Sequence, residues 1–200
     1  MSAVAAPYGM IPVENYGAMY NTQGFETYYI LDGYTTSIFT GDVVKLTTTG
    51  TVIKDTGTTT LTPLGVFMGC SYIDPSLGYF FNTQAWPAST TTGQPINTVG
   101  YPKAKVVTYP GAIYQIQANG PVATSDIGAN AAIVQTAGSL TAGQRSRNAL
   151  NASSIDPSTG TLPLRIVGIL QSPTNAPGDA FTDVLVVFNN NMQINTAVGV

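Results

Sequence analysis

The side chains able to do chemistry are few here: ten carboxylates, seven Lys and Arg, one cysteine and no histidine in 200 residues. Without histidine there is no Ser-His-Asp or Cys-His triad and no imidazole metal ligand. A single thiol, Cys70, can build neither a structural zinc site nor an intrachain disulfide. It lies in the apolar run GVFMGCSYI, where a small buried strand residue accounts for it. There is no Walker loop and no glycine fingerprint between a strand and a helix. Paired carboxylates remain, because glycoside hydrolysis needs only two. Yet Asp32-Gly33, Asp55, Asp74-Pro75, Asp156-Pro157 and Asp179 all fall at turn signals, where an Asp side chain bonds its own backbone. A loop calcium site could draw on DPSTG at 156–160, or on Asp179 with Asp183. Neither stretch has the alternating acidic ligands of a known loop, and the turn reading is favoured. The expectation is a non-enzyme with no cofactor and no metal. Asn151-Ala152-Ser153 is a glycosylation sequon, which has meaning only after secretion.

What surrounds these residues is unusual. Charged residues make up 8% of the chain, against about 25% in an ordinary globular protein. Thr, Ser, Asn, Gln and Gly take their place, so the surface must be largely neutral and polar. Such a surface suits burial against partners, since an unpaired charge in an interface costs several kcal/mol, about as much as a whole hot-spot residue contributes. It also suits secreted and repetitive β proteins. A net charge of −3 argues against nucleic acid, whose phosphates demand clustered cations. Lys103 with Lys105 and Arg145 with Arg147 are isolated pairs that read as solvated strand edges or loops. No apolar stretch approaches the ~20 residues that span a bilayer. The N-terminus lacks a basic leader, and Pro7, Gly9 and Pro12 interrupt its apolar residues, so synthesis and use in a cytoplasm are expected.

The elements that must position these groups read as β. Residues 1–26 form an extended N-terminal arm, 27–189 a single β domain and 190–200 a C-terminal tail. In the arm, Pro7, Tyr8, Met10, Ile11 and Pro12 are apolar but broken by Pro and Gly, unsuited to a helix or central strand. Such a segment packs on its own domain or on a neighbour, and its removal is expected to leave the β core folded. Strands are expected at 27–31, 43–47, 51–55, 64–72, 103–109, 112–118, 162–170 and 183–189. The Thr48-Thr49-Gly50 turn should join the second and third of these. The near-continuous apolar run 64–72 predicts a strand covered on both faces. In 112–118, Ile113 and Ile116 are expected to face inward, with Gln115 and Gln117 near solvent or an interface. Helical periodicity is scarce; DIGANAAIVQ at 126–135 could hold one turn. Long Thr-, Ser- and Asn-rich loops span 81–100 and 137–160, the lengths at which loops make contacts. Trp86 in NTQAWPAST is either a partner anchor or a cap on the domain's own core. The fold class is all-β, a single Greek-key-like barrel or sandwich with an N-terminal arm, long loops and little helix.

The order of segments is also informative. GDVVKLTTTGTVIKDTGTTTLTPLGVFMGCSYIDP, then AIYQIQANGPVATSDIGANAAIV, then LPLRIVGIL and DVLVVFNN, after an APYGMIPV arm, resembles the head decoration or cement proteins of short-tailed bacteriophages. That resemblance implies a virion protein on the outer capsid surface that bridges major capsid protein subunits. It implies the major capsid protein and itself as partners, a homotrimer in preference to a homodimer, and neither nucleic acid nor membrane. The arm residues Pro7, Tyr8, Met10, Ile11 and Pro12, with Trp86, are the expected contacts. A tail or fibre component and a carboxylate-dependent glycan hydrolase are the alternatives.

Overall fold

Each of the eight expected strand stretches becomes a strand, and among the described residues the only helical elements are two single 3-10 turns, Thr124–Asp126 and Ala152–Ser154. The computed structural model describes residues 4–15 and 24–193; most of the expected tail lies outside them. The first strands are β1 (Ile11–Asn15), β2 (Glu26–Ile30), β3 (Ile38–Phe39), β4 (Val43–Leu46) and β5 (Thr51–Lys54). Then come β6 (Gly65–Ile73), β7 (Phe80–Thr83), β8 (Ala85–Trp86), β9 (Lys103–Val107) and β10 (Ala112–Gln117). The last are β11 (Asn130–Ala131), β12 (Ile133–Val134), β13 (Ala149–Leu150), β14 (Leu164–Ile169) and β15 (Asp183–Phe188). Gly50, at φ +75°, turns β4 into β5, and Thr47 and Thr51 hydrogen-bond across that hairpin at 2.9 Å.

Two sheets result. Strands β4, β5, β2, β9 and β6 pair in that order and β6 returns to β4, so five strands close into a barrel. The β2–β5 pair is parallel; the other barrel pairs are antiparallel. The second sheet is open and antiparallel, in the order β1-β10-β15-β14-β11. The all-β class holds as expected, with a β-barrel, and the closed barrel packs against an open sheet.

Side-chain alternation explains why the two stay together. In a strand, neighbouring residues face opposite sides. Val44, Phe67 and Val106 fill the barrel interior with Ile30, Val52 and Trp86. Their neighbours Val43, Val66 and Val107 point outward and join Tyr114, Ile116, Ile166, Val184 and Val186 of the open sheet in a second core. Both members of each pair are buried, so these barrel strands are covered on both faces, as the run 64–72 foretold. In β10 the expectation holds for Ile116, Gln115 and Gln117 and fails for Ile113. Ala112, Tyr114 and Ile116 face the core, while Ile113 lies with Gln115 and Gln117 on the opposite side. The tyrosine ring is fully buried because its hydroxyl reaches the Val107 carbonyl at 3.3 Å.

The arm is not separate from the domain. Its β1 is the edge strand of the open sheet, where Pro12 is tolerated and the register slips between Pro12 and Glu14. Met10 is wholly buried in the inter-sheet core. Removing the arm would empty a core position and expose β10, which weighs against the expectation that the core folds without it. At the other end, Asn191 is buried and Met192 packs on the barrel core, so the domain continues past residue 189.

Arm, barrel and the segment entering β13 meet at one polar node. Gly9 (φ +77°) donates to the Asn148 carbonyl at 3.2 Å, and Met10 N–H donates to the Gly41 carbonyl at 3.0 Å. A Cβ on Gly9 would lie 2.5 Å from Ser146 Cβ, so only glycine allows this crossing. Beside it, Asp42 is fully buried and accepts from Lys54 Nζ at 2.9 Å, Phe39 N–H at 2.9 Å and Asn148 Nδ2 at 3.3 Å. Lys54 is itself nearly sequestered. Removing one member strands the other charge, whereas removing both does not. Lys54→Met should therefore destabilise the chain by about 3 kcal/mol in urea denaturation. The double variant Asp42→Asn with Lys54→Met should lose less than that single variant; a larger loss would refute the charge-pairing account.

Candidate interaction surface

The carboxylates come first, because they are the only groups numerous enough for catalysis. Glu14 aside, all of them accept hydrogen bonds from this chain's own groups. Asp32 takes Thr92 N–H at 2.7 Å and Gly93 N–H at 3.1 Å; Asp74 takes Ser76 and Leu77 N–H at 2.8 and 2.9 Å. Asp55 takes Gly57 and Thr62 N–H and pairs with Lys45 at 3.4 Å. Glu26 accepts from Tyr28, Asp126 from Ala123, Asp179 from Ala176 and Asp183 from Tyr8. These side chains act as latches that set turns. The two stretches weighed for calcium follow the same rule. Asp156 binds Ser158 N–H, Ser158 Oγ and Thr159 Oγ1 within its own turn, and Asp183 is tied to the arm. Among the described residues no three potential ligands converge on a metal position.

The clefts gather no chemistry either. One of about 370 Å³ is lined by Thr36, Ser37, Phe39, Thr56 and Gln135, and its single charged lining group, Lys54, is paired with Asp42. Cys70 is buried, and burial pushes its thiol up to about 12, against a smaller opposing pull from Lys105. It is inert, as a core residue should be.

Apolar exposure is instead concentrated in one place. Leu77, Tyr79, Phe80 and Phe81 occupy five consecutive positions and are all exposed, Tyr79 to 71% and Phe80 to 54%. They belong to the β6–β7 hairpin. The β6–β9 pairing ends at Ser71, so Tyr72 and Ile73 pair with β7 alone and the ribbon continues past the barrel pairing. An isolated two-stranded ribbon is marginal in water. Here a local latch supports it: Asp74 caps the turn, its N–H donates to the Tyr79 carbonyl at 2.9 Å, and Ile73 N–H donates to the Gly100 carbonyl at 3.1 Å. Gly100 has φ +95°, and a Cβ there would strike Ile73, so the 95–101 loop can approach the ribbon only because that residue is glycine. That loop adds exposed Ile96 and Val99. Phe81 lies opposite Tyr72, their rings 6.4 Å apart, and Phe80 lies opposite Ile73, so both faces of the ribbon are apolar.

The residues singled out in the sequence lie elsewhere. Trp86 is wholly buried, edge-on to Tyr72 at 5.2 Å, with its indole N–H directed to the Tyr34 carbonyl. It caps this chain's own core, and that corrects its reading as a partner anchor. Met10 is likewise interior. Pro7, Tyr8, Ile11 and Pro12 are half-buried along β10, where Tyr8 donates to Asp183 at 2.9 Å and accepts from Gln115 at 2.8 Å. Gln117 binds the arm at Ala6 N–H and the Val4 carbonyl. Burial, then the charge of Asp183, pushes the Tyr8 phenol well up; burial also raises Asp183, partly offset by the Tyr8 hydrogen bond. The arm is thus a strap over its own sheet. The hairpin was missed because adjacent aromatics after a Gly carry no period, so 81–100 read as a loop.

Two measurements check these assignments. Hydrogen bonds from Ser158 and then Thr159 hold the Asp156 carboxyl down to about 2. A group so depressed adds stability above its usual 3.8 that is lost as pH falls through about 2. A carboxyl-carbon NMR titration should give a midpoint at about pH 2 for Asp156, unmoved by calcium. A calcium-dependent midpoint would restore this loop as a metal site. Iodoacetamide at mildly alkaline pH should modify Cys70 only after unfolding; rapid labelling of the native chain would contradict its burial.

Among the described residues no helix is long and apolar enough to cross a membrane. No protein-family model, curated protein or solved structure matches the chain.

Proposed function

We propose that this chain is a structural, non-enzymatic virion subunit, a decoration or cement protein that lies on the outer surface of a tailed-phage capsid and bridges major capsid protein subunits. The observation that carries the reading is the β6–β7 hairpin, an aromatic surface held out from a closed barrel by its own turn hydrogen bonds. Monomeric proteins rarely expose such clusters unless they meet something. Aromatic residues fixed in advance also lose little entropy on docking, which suits them to contact surfaces. The sequence resemblance supplies the kind of assembly. Cementing asks only for moderate affinity per copy, because a symmetric shell repeats each contact many times.

Purified particles should carry the chain in numbers comparable to the shell subunits, and a handful of copies would point to a tail or fibre part instead. Replacing Tyr79 and Phe81 together by Ser should leave melting nearly unchanged, since both are exposed. Occupancy on undecorated shells should fall about tenfold or more. Undiminished attachment of that folded variant would remove the hairpin from the contact.

A further inference from the structure

Among the described residues strand β7 ends its sheet: β6 lies on one side, and the sheet order places no strand on the other. Its distal end is occupied, because Thr83 Oγ1 bonds Gln144 at 3.0 Å and the Gln84 carbonyl accepts from Thr40. The open part is Phe80 to Asn82, all exposed. Natural sheets protect such edges with Lys, Pro or an inward charge. Nothing of that kind is present: from residue 76 to 102 the sequence holds no Asp, Glu, Lys or Arg, and the prolines of that stretch lie outside β7. Lys105 approaches only from β9, across a shallow cleft it lines with Asn82 and Thr83.

The lack of charge selects the occupant. A heterologous partner is ordinarily recognised through complementary charge at the rim. In a two-fold interface the residues near the axis meet their own copies, so a charge there would face its own like, and an edge uncharged along its open length suits self-pairing. The two-fold also sets direction, since a strand placed beside its own symmetry mate runs antiparallel to it. We infer that the β7 edge pairs with β7 of a second copy, joining two hairpins into a continuous four-stranded ribbon with Phe80 and Phe81 packed across the joint. The inference rests on the reading of this hairpin as a contact surface and names its partner. A strand edge accommodates one other edge, so it favours a two-fold pair over the three-fold association that the sequence resemblance implied.

The test uses the full chain in solution by sedimentation velocity. Wild type should dimerise, and Phe81→Lys and Phe81→Glu, at the centre of the open edge where the strand faces its own copy, should each weaken dimerisation about tenfold or more while keeping the wild-type circular dichroism. Mixing the two variants should restore a dimer, because opposite charges then meet across the joint. Three results would each overturn the pairing: a monomeric wild type at high micromolar concentration, an oligomer indifferent to both variants, or no recovery on mixing. The outcome is separable from the wider reading. A monomeric wild type that still coats shells would sink only the pairing, and a dimer that never binds particles would sink only the cement function.

Discussion

The structure depends on a buried charge being satisfied from three directions at once. Asp42 lies at the entry to β4, and its carboxylate gathers the Lys54 ammonium, the Phe39 amide and the Asn148 side chain. Each partner comes from a different part of the chain. Lys54 ends β5 of the barrel, Phe39 ends β3, and Asn148 leads into β13 behind the second core. A buried ion pair is a poor source of net stability, because desolvation cancels most of its Coulombic gain. Its value here is geometric. Hydrophobic contact between barrel and sheet would tolerate sliding, whereas an ion that loses a partner costs more than the slide could recover. The node therefore fixes β3, the end of β5 and the segment entering β13 to the start of β4, a positional constraint that apolar packing alone does not supply. The Gly9–Gly41 crossing beside it lets the arm enter at that place and no other.

Much of this fold was legible in the sequence, and the failures have physical causes. The paired valines and the continuous run of β6 announced burial on both faces, since a strand wetted on one side alternates. The Thr-Thr-Gly turn was readable because Gly50 supplies a positive φ that few residues tolerate. Asp42 was not readable. A Gly-Asp dipeptide looks like a solvated turn, and its true environment is assembled by residues 12 and 106 positions away. The side of Ile113 was misjudged because Tyr114 and Ile113 are both apolar, so composition alone cannot choose between them. What decided it was a carbonyl at the end of β9 able to receive the phenol.

The candidate surface was hidden for a related reason. Sequence reasoning sought contacts where apolar residues could not form regular structure, and so favoured the arm and Trp86. Both are consumed internally, the arm because β10 offers a free edge and two glutamines to bind it, the tryptophan because the barrel mouth needs a large cap. The exposed aromatics appear instead where regular structure is over-extended, on the two strands that outrun their neighbours. Exposure is thus set by strand-length mismatch, a property of pairing and not of composition.

Charge economy connects these features to function. With so few ionic groups, the chain ties its carboxylates into turns and places its most buried pair at the start of β4. Little charge remains to keep an exposed β edge solvated, and the stretch that contains that edge has none. For a free monomer this is a hazard, because uncharged edges pair indiscriminately. For a subunit whose edge is meant to be covered it is a requirement, since any charge left there would have to be desolvated in every copy of the interface. The same omission that would make the isolated chain prone to associate would make the proposed repeated contact inexpensive.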